Sequence, residues 1–287
     1  MSYELEIPSA APPDVRALQA ALAVPDLHGF PDDDGPAWPD RALLLYREGL
    51  STRHTEVSWR GEEEGKPERL VVSVPPLASA EDCDLALRVV EAAAALAGAP
   101  EIHTDYFGTI APAELRRWHA ADWMNEQAAS GTEALVTLIK DGKGPIPVPG
   151  PRRPCWIGDR LLAELEAAGP GDALPSRVLA TLRRVQWEVP AGFREAAVFA
   201  SGPRESETDF AVWLPDEDLI IPCVDYVALR ARTGEVVMVP FAAVATLAGP
   251  HARPLDECQL LVTATTPEVW AEIVARARPL AARAGER

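Results

Sequence analysis

Lysine is nearly missing: the 287-residue chain has 3 lysines (Lys66, Lys140, Lys143) against 24 arginines. Alongside abundant alanine and 28 prolines, that bias reads as genome composition of a bacterial type and carries no functional information. Cysteine is scarce too. Cys83, Cys155, Cys223 and Cys258 stand far apart, with no Cys-x-x-Cys pair and no histidine at zinc-ligand spacing, which excludes a zinc-finger or disulfide-framework reading. All four are expected as reduced thiols, a residue type most often buried. Cys155 precedes an expected helix N-terminus, where the dipole favours a thiolate, but no histidine near it in sequence completes a nucleophilic pair. No apolar run approaches the roughly 18 residues that cross a bilayer. The opening "MSYELEIPSAAPPD" lacks the basic and apolar regions of a signal peptide, so a cytoplasmic chain without membrane association is expected.

What is present is an ordinary globular composition, 47% hydrophobic and 25% charged, enough to specify a core rather than disorder. A chain of this length buries roughly 75% of its unfolded surface. Net charge is −17, unevenly distributed. Residues 1–144 hold 25 acidic and 12 basic side chains, net −13, and residues 145–287 hold 19 and 15, net −4. The clusters Asp32, Asp33, Asp34 and Glu62, Glu63, Glu64 repel a phosphate backbone, so no nucleic-acid partner is expected, and they attract a basic protein.

Pattern and punctuation predict an α+β fold of two mixed lobes, each a mostly antiparallel sheet with packed helices. The first lobe is expected over residues 1–142. It begins with a strand from Tyr3 to Ile7 and a helix from about Pro13 to Leu22. An exposed loop over residues 24–40 follows, then strands in "RALLLYR", "TRHTEVSW" and "RLVVSVPP". A helix capped by Ser79 and ended by Gly98 closes that unit, and a further helix is expected from Pro112 to Ala129, stopped near Gly131. "EALVTLIK" after it fits strand or helix. Residues 143–154, rich in proline and glycine, form a linker or a strap packed along one domain. The second lobe, residues 155–287, mixes two early helices with strands in "EAAVFAS", "DFAVWLP", "DLIIPCVDYVALRA" and "EVVMVPF", then a helix, the strand "QLLVTAT" and a terminal helix opening at Thr266 and Pro267.

"RRWHAADWMNEQ" is the densest candidate for chemistry. On a continuous helix, Leu115, Trp118, His119, Asp122, Trp123 and Glu126 share one broad face. Polar groups inside an aromatic stripe are unusual, and desolvation beside it raises a carboxyl pKa, as acid/base work requires. "HTDYFG" adds His103 and Asp105 on one side of an extended segment. A metal-dependent hydrolase using His103, Asp105, His119, Asp122 and Glu126 is therefore one reading. The other is a packed helix whose tryptophans anchor the first domain, with no cofactor and no metal. Pro39, Asp40, Glu64 and Lys66 mimic a nuclease order, but Glu64 and Lys66 fall in a turn rather than on a strand beside a phosphate. "GKG" at Gly142 lacks phosphate-loop spacing, and Asp216, Glu217 and Asp218 lack that of an EF-hand.

With enzyme motifs lacking and negative charge concentrated in one half, the leading expectation is a non-catalytic protein-binding protein. Its concrete form is an immunity or inhibitor protein that covers a basic toxin or nuclease with Asp32, Asp33, Asp34, Glu62, Glu63 and Glu64. A regulatory or structural interaction module is the third alternative.

Overall fold

The computed structural model describes residues 2–31, 38–62, 66–168, 173–201, 208–231 and 233–284. The chain divides into two compact units, Met1–Cys155 with Leu162–Glu188, and Trp156–Leu161 with Val189–Arg287. The proline-rich segment 143–154 lies within the first unit by this division. The fold is α+β, with mostly antiparallel sheets and packed helices in both units.

Unit 1 is built on a seven-stranded antiparallel sheet. Its strands are β1 (Tyr3–Pro8), β2 (Leu27–His28), β3 (Leu43–Arg47), β4 (Thr55–Arg60), β5 (Arg69–Val74), β6 (Ile102–Thr104) and β7 (Gly108–Ile110), in the order β2-β3-β4-β5-β1-β6-β7. β1 shows how sequence sets the layers. Tyr3, Leu5 and Ile7 enter the core while Glu4 and Glu6 turn to the other face, as the two-residue period of a strand demands. β5 does not alternate: all six residues of "RLVVSV" are buried, with Leu70, Val72 and Val74 in the core and Arg69 on the other face paired with Glu6 of β1. Helices α1 (Val15–Leu22) and α2 (Ala80–Ala97) belong to the same unit. α2 buries Cys83, Leu85, Ala86, Leu87, Val89, Val90, Ala93 and Ala94 in the core formed with Leu5, Val57, Leu70 and Val72. The expected 24–40 loop is partly core: Val24, Leu27, Phe30 and Trp38 pack against this cluster.

α2 begins at a reciprocal cap. The Ser79 side chain accepts from the Asp82 amide, and Asp82 Oδ2 accepts from the Ser79 amide. The same oxygen also receives the Thr52 amide, the Thr52 hydroxyl at 2.7 Å, the Arg53 amide and the Ser79 hydroxyl. One buried carboxylate thus fastens the 51–53 loop between β3 and β4 to the helix N-terminus. Burial pushes its pKa up against these hydrogen bonds, and the α2 dipole favours its charged form. At the other end Gly98 is left-handed, with φ +62, where a side chain would be strained.

The expected helix from Pro112 to Ala129 is broken. A short 3-10 turn and α3 (Leu115–Trp118) end at His119, which has φ −110 and ψ 52, and Ala120 is extended before α4 (Ala121–Lys140) starts. Nor does the helix stop at Gly131. α4 runs through it and takes in "EALVTLIK". A Cβ on Gly131 would sit 2.7 Å from the Leu77 amide nitrogen, so this glycine lets helix and loop backbones approach closely. Arg116 ties α3 to α2, bridging Glu91 at 2.7 Å and Asp84. Two short strands, β8 (Ile146–Val148) and β9 (Cys155–Ile157), and helices α5 (Asp159–Ala167) and α6 (Leu174–Trp187) follow.

Unit 2 holds two four-stranded sheets. One has the order β10-β13-β17-β16, from Arg194–Glu195, Leu219–Ile221, Leu260–Val262 and Ala252–Pro254. The other has the order β11-β12-β14-β15, from Val198–Ser201, Thr208–Trp213, Tyr226–Arg230 and Val236–Pro240. The expected strand "DLIIPCVDYVALRA" is two strands in different sheets. Proline at 222 has no amide to extend a ladder, so β13 ends at Ile221 and the chain restarts as β14. Helices α7 (Phe241–Ala248) and α8 (Pro267–Ala284) complete the unit, with Trp213 and Trp270 packed edge to face, 5.2 Å between ring centres. The turn 255–259 receives the 156–161 segment. Asp256 Oδ2 accepts from the Trp156 amide and Glu257 Oε2 from the Leu161 amide, both at 2.8 Å. Among the described residues no helix is long and apolar enough to cross a membrane.

Candidate functional site

His119 is fully committed inside unit 1. It is 1% exposed, its Nδ1–H donates to the Leu115 carbonyl at 2.8 Å, and its Nε2 accepts from the Tyr3 hydroxyl at 2.7 Å. This tautomer follows from the carbonyl, which can only accept. Both ring nitrogens are used, leaving no lone pair for a metal. Burial lowers the His119 pKa and pushes the Tyr3 hydroxyl up to about 12. Trp123 stands edge-on to both rings, at 4.7 Å from His119 and 5.1 Å from Tyr3, and is itself buried.

The other sequence candidates do not join it. His103, on β6 opposite Glu6, pairs with Glu101 at 3.1 Å. Asp105 Oδ2 accepts from the Glu4 amide at 2.8 Å and so closes the β1–β6 edge. Asp122 and Glu126 are exposed on α4. Among the described residues, no group of three or more His, Cys, Asp or Glu side chains is disposed to hold a metal. The shared face read from a single helix does not form, because the break at His119 and Ala120 reorients α3 against α4. Asp32, Asp33, Asp34, Glu63 and Glu64 lie outside the described residues, and Glu62 is exposed. Lys66 pairs with Glu6 rather than with a carboxylate of its own turn. Glu217 pairs with Arg194, and Asp218 accepts from the Ala264 amide.

Two clefts meet at Asp105 and Glu4. The smaller, about 340 Å³, is lined by Glu6, Lys66, Arg69 and His103. Its charges are already matched: Glu6 lies 3.1 Å from Lys66 and 3.2 Å from Arg69. Burial raises the Glu6 pKa, but these two cations outweigh it and hold the carboxyl below its ordinary value. The larger cleft, about 660 Å³, lies among Tyr3, Asp105, Tyr106, Gln127, Ser130 and Gly131.

Tyr106 is the residue the sequence reading missed. It is 75% exposed yet stacked on buried Tyr3, ring centres 5.5 Å apart and planes within 6°. Beside it Phe107 carries Trp118 at 5.3 Å, and Trp118 is 40% exposed with the Arg117 guanidinium over its ring. The hairpin tip is held locally, since Thr104 Oγ1 accepts from the Phe107 amide and donates to the Gly108 carbonyl. A signal was available in "TDYFG": a glycine suited to a left-handed turn, here Gly108 at φ +65, places the aromatics just before it at a hairpin tip and not within a strand. The unit thus presents two exposed rings, Tyr106 stacked on buried Tyr3 and Trp118 against half-buried Phe107. Comparison with family models, with curated proteins and with solved structures gives no match.

Burial of His119 also sets a pH response. With its folded pKa below the ordinary value, the unfolded chain takes up a proton first as pH falls. The stability it contributes is complete above about pH 6.5 and is lost as pH drops from there toward the lowered folded value. His119→Gln is expected to remove its share of this slope in denaturant melts, leaving that of His54, whose pKa burial also lowers.

Proposed function

We propose that the chain is a non-catalytic, cytoplasmic protein-binding protein that engages a basic partner through its acidic first half, in the manner of an immunity or inhibitor protein covering a basic toxin or nuclease. The observation that carries this reading is the pair of exposed rings, Tyr106 stacked on buried Tyr3 and Trp118 packed against half-buried Phe107. Tyrosine and tryptophan on a preorganised support are the side chains that concentrate binding energy at interfaces. Exposed Asp105, Asp122 and Glu126 flank them in sequence on the hairpin tip and on α4, and a net charge of −13 over residues 1–144 supplies a field that steers a cation-rich surface.

The test uses a small basic toxin or nuclease encoded beside this chain, with association followed by stopped flow. The association rate is expected to fall from low to physiological salt, where fields are screened over about 8 Å. It should fall similarly when Asp32, Asp33, Asp34, Glu62, Glu63 and Glu64 are neutralised together. Tyr106→Ala should instead raise the dissociation rate by about 10-fold or more. A rate indifferent to salt and to the six neutralisations sinks the steering claim, and a dissociation rate indifferent to Tyr106 sinks the role of the exposed rings.

A further inference from the structure

Cys223 and Cys258, 35 positions apart in sequence, come together just beyond the end of a ladder in unit 2. The β13–β17 register runs Leu219↔Val262, Ile220↔Leu261 and Ile221↔Leu260; Cys223 lies two residues past the β13 end of that last pair and Cys258 two residues before its β17 end. The Cys258 amide is not spent on cross-strand pairing, since it donates to Asp256 Oδ1 at 2.9 Å. The two thiols are in side-chain hydrogen-bonding contact; burial first, then that contact, pushes the Cys258 thiol up. Their surroundings differ: Cys223 is exposed and Cys258 is buried.

We propose that Cys223 and Cys258 form a dithiol site that reacts with low-molecular-weight disulfides and closes reversibly into an intramolecular disulfide. The exposed Cys223 thiolate, its proton lost to solvent, attacks one sulfur of the small disulfide and expels the other half as a thiolate. The Cys258 sulfur, giving up its proton, then attacks the Cys223 sulfur and releases the second half. Two protein thiols and one small disulfide become one protein disulfide and two small thiols; the small disulfide is reduced by two electrons and the protein dithiol is oxidised by two. Closure ties β13 to the 255–259 turn, the turn whose Asp256 and Glu257 hold Trp156 and Leu161.

The full chain, reduced and desalted, is incubated with glutathione disulfide, quenched in acid, weighed intact and mapped without reductant. The expected product is lighter than the reduced chain by two hydrogens, carries the peptides of Cys223 and Cys258 joined, and reverts with dithiothreitol. Cys258→Ser is expected to stop at a glutathione adduct on Cys223. Cys223→Ser, a change at an exposed position, is expected to stay unmodified at Cys258. A wild-type chain that keeps a glutathione adduct on Cys223, dimerises through it, or fails to react overturns the proposal.

Discussion

Trp123→Ala is expected to lower the free energy of unfolding by roughly 3–5 kcal/mol, since a buried indole loses its transfer energy and leaves a cavity that neighbouring rings only partly refill. Trp123 is 5% exposed and touches Tyr3 and His119 edge-on, so its removal also strips contacts from both. Trp118→Ala should cost about half as much or less, roughly 1–2 kcal/mol, because water can occupy the space of a ring that is 40% exposed. Denaturant melts of the two variants check the ratio. Equal losses would mean that Trp118 also bears on the core and that its exposure overstates its freedom to bind.

Asp82→Ala is expected to cost about 4 kcal/mol or more in the same melts. It leaves the amides of Thr52 and Arg53 and the Ser79 hydroxyl without an acceptor, while the Thr52 hydroxyl keeps the Leu77 carbonyl and the Ser79 amide keeps Thr52 Oγ1; each orphaned buried group costs about 1–3 kcal/mol before water or local shifts relieve it. Asp82→Asn should be milder by a factor of about two or more. Its amide oxygen can still accept at the Oδ2 position, and burial already favours an uncharged group there. An asparagine variant as unstable as the alanine one would place the charge itself, acting on the α2 N-terminus, ahead of the hydrogen bonds.

Local chemistry made much of the fold legible. Ser79 and Gly98 bracket α2 as their cap preferences dictate, and "YELEI" alternates as a strand with one buried face should. The errors came from features that depend on distant partners. Gly131 resembles a helix stop until Leu77 is packed against it. His119 and Ala120 carry no breaker residue, and the break is held by hydrogen bonds of His119 to Leu115 and to Tyr3, 116 positions away. The helical wheel for the candidate site assumed regularity at the very point where that long-range contact removes it. The exposed rings were missed for a similar reason, since Tyr106 becomes notable only once Tyr3 lies beneath it. The pairing of Cys223 with Cys258 needs the β13–β17 register, which spacing along the chain does not encode.

The sheet order also has a temporal side. β1 pairs on one edge with β5, whose first residue is Arg69, and on the other with β6, which begins at Ile102. A ribosome adding about 5–20 residues per second therefore releases β1 several seconds before its second partner is synthesised. Both edges of "YELEI" are unpaired until β5 is made, and one edge stays open until β6 follows, so the chain cannot complete the middle of its own sheet in that interval. Glu4 and Glu6, which later meet Arg60, Lys66 and Arg69, meanwhile place negative charge on the waiting strand, the kind of residue that discourages pairing with a neighbouring nascent chain.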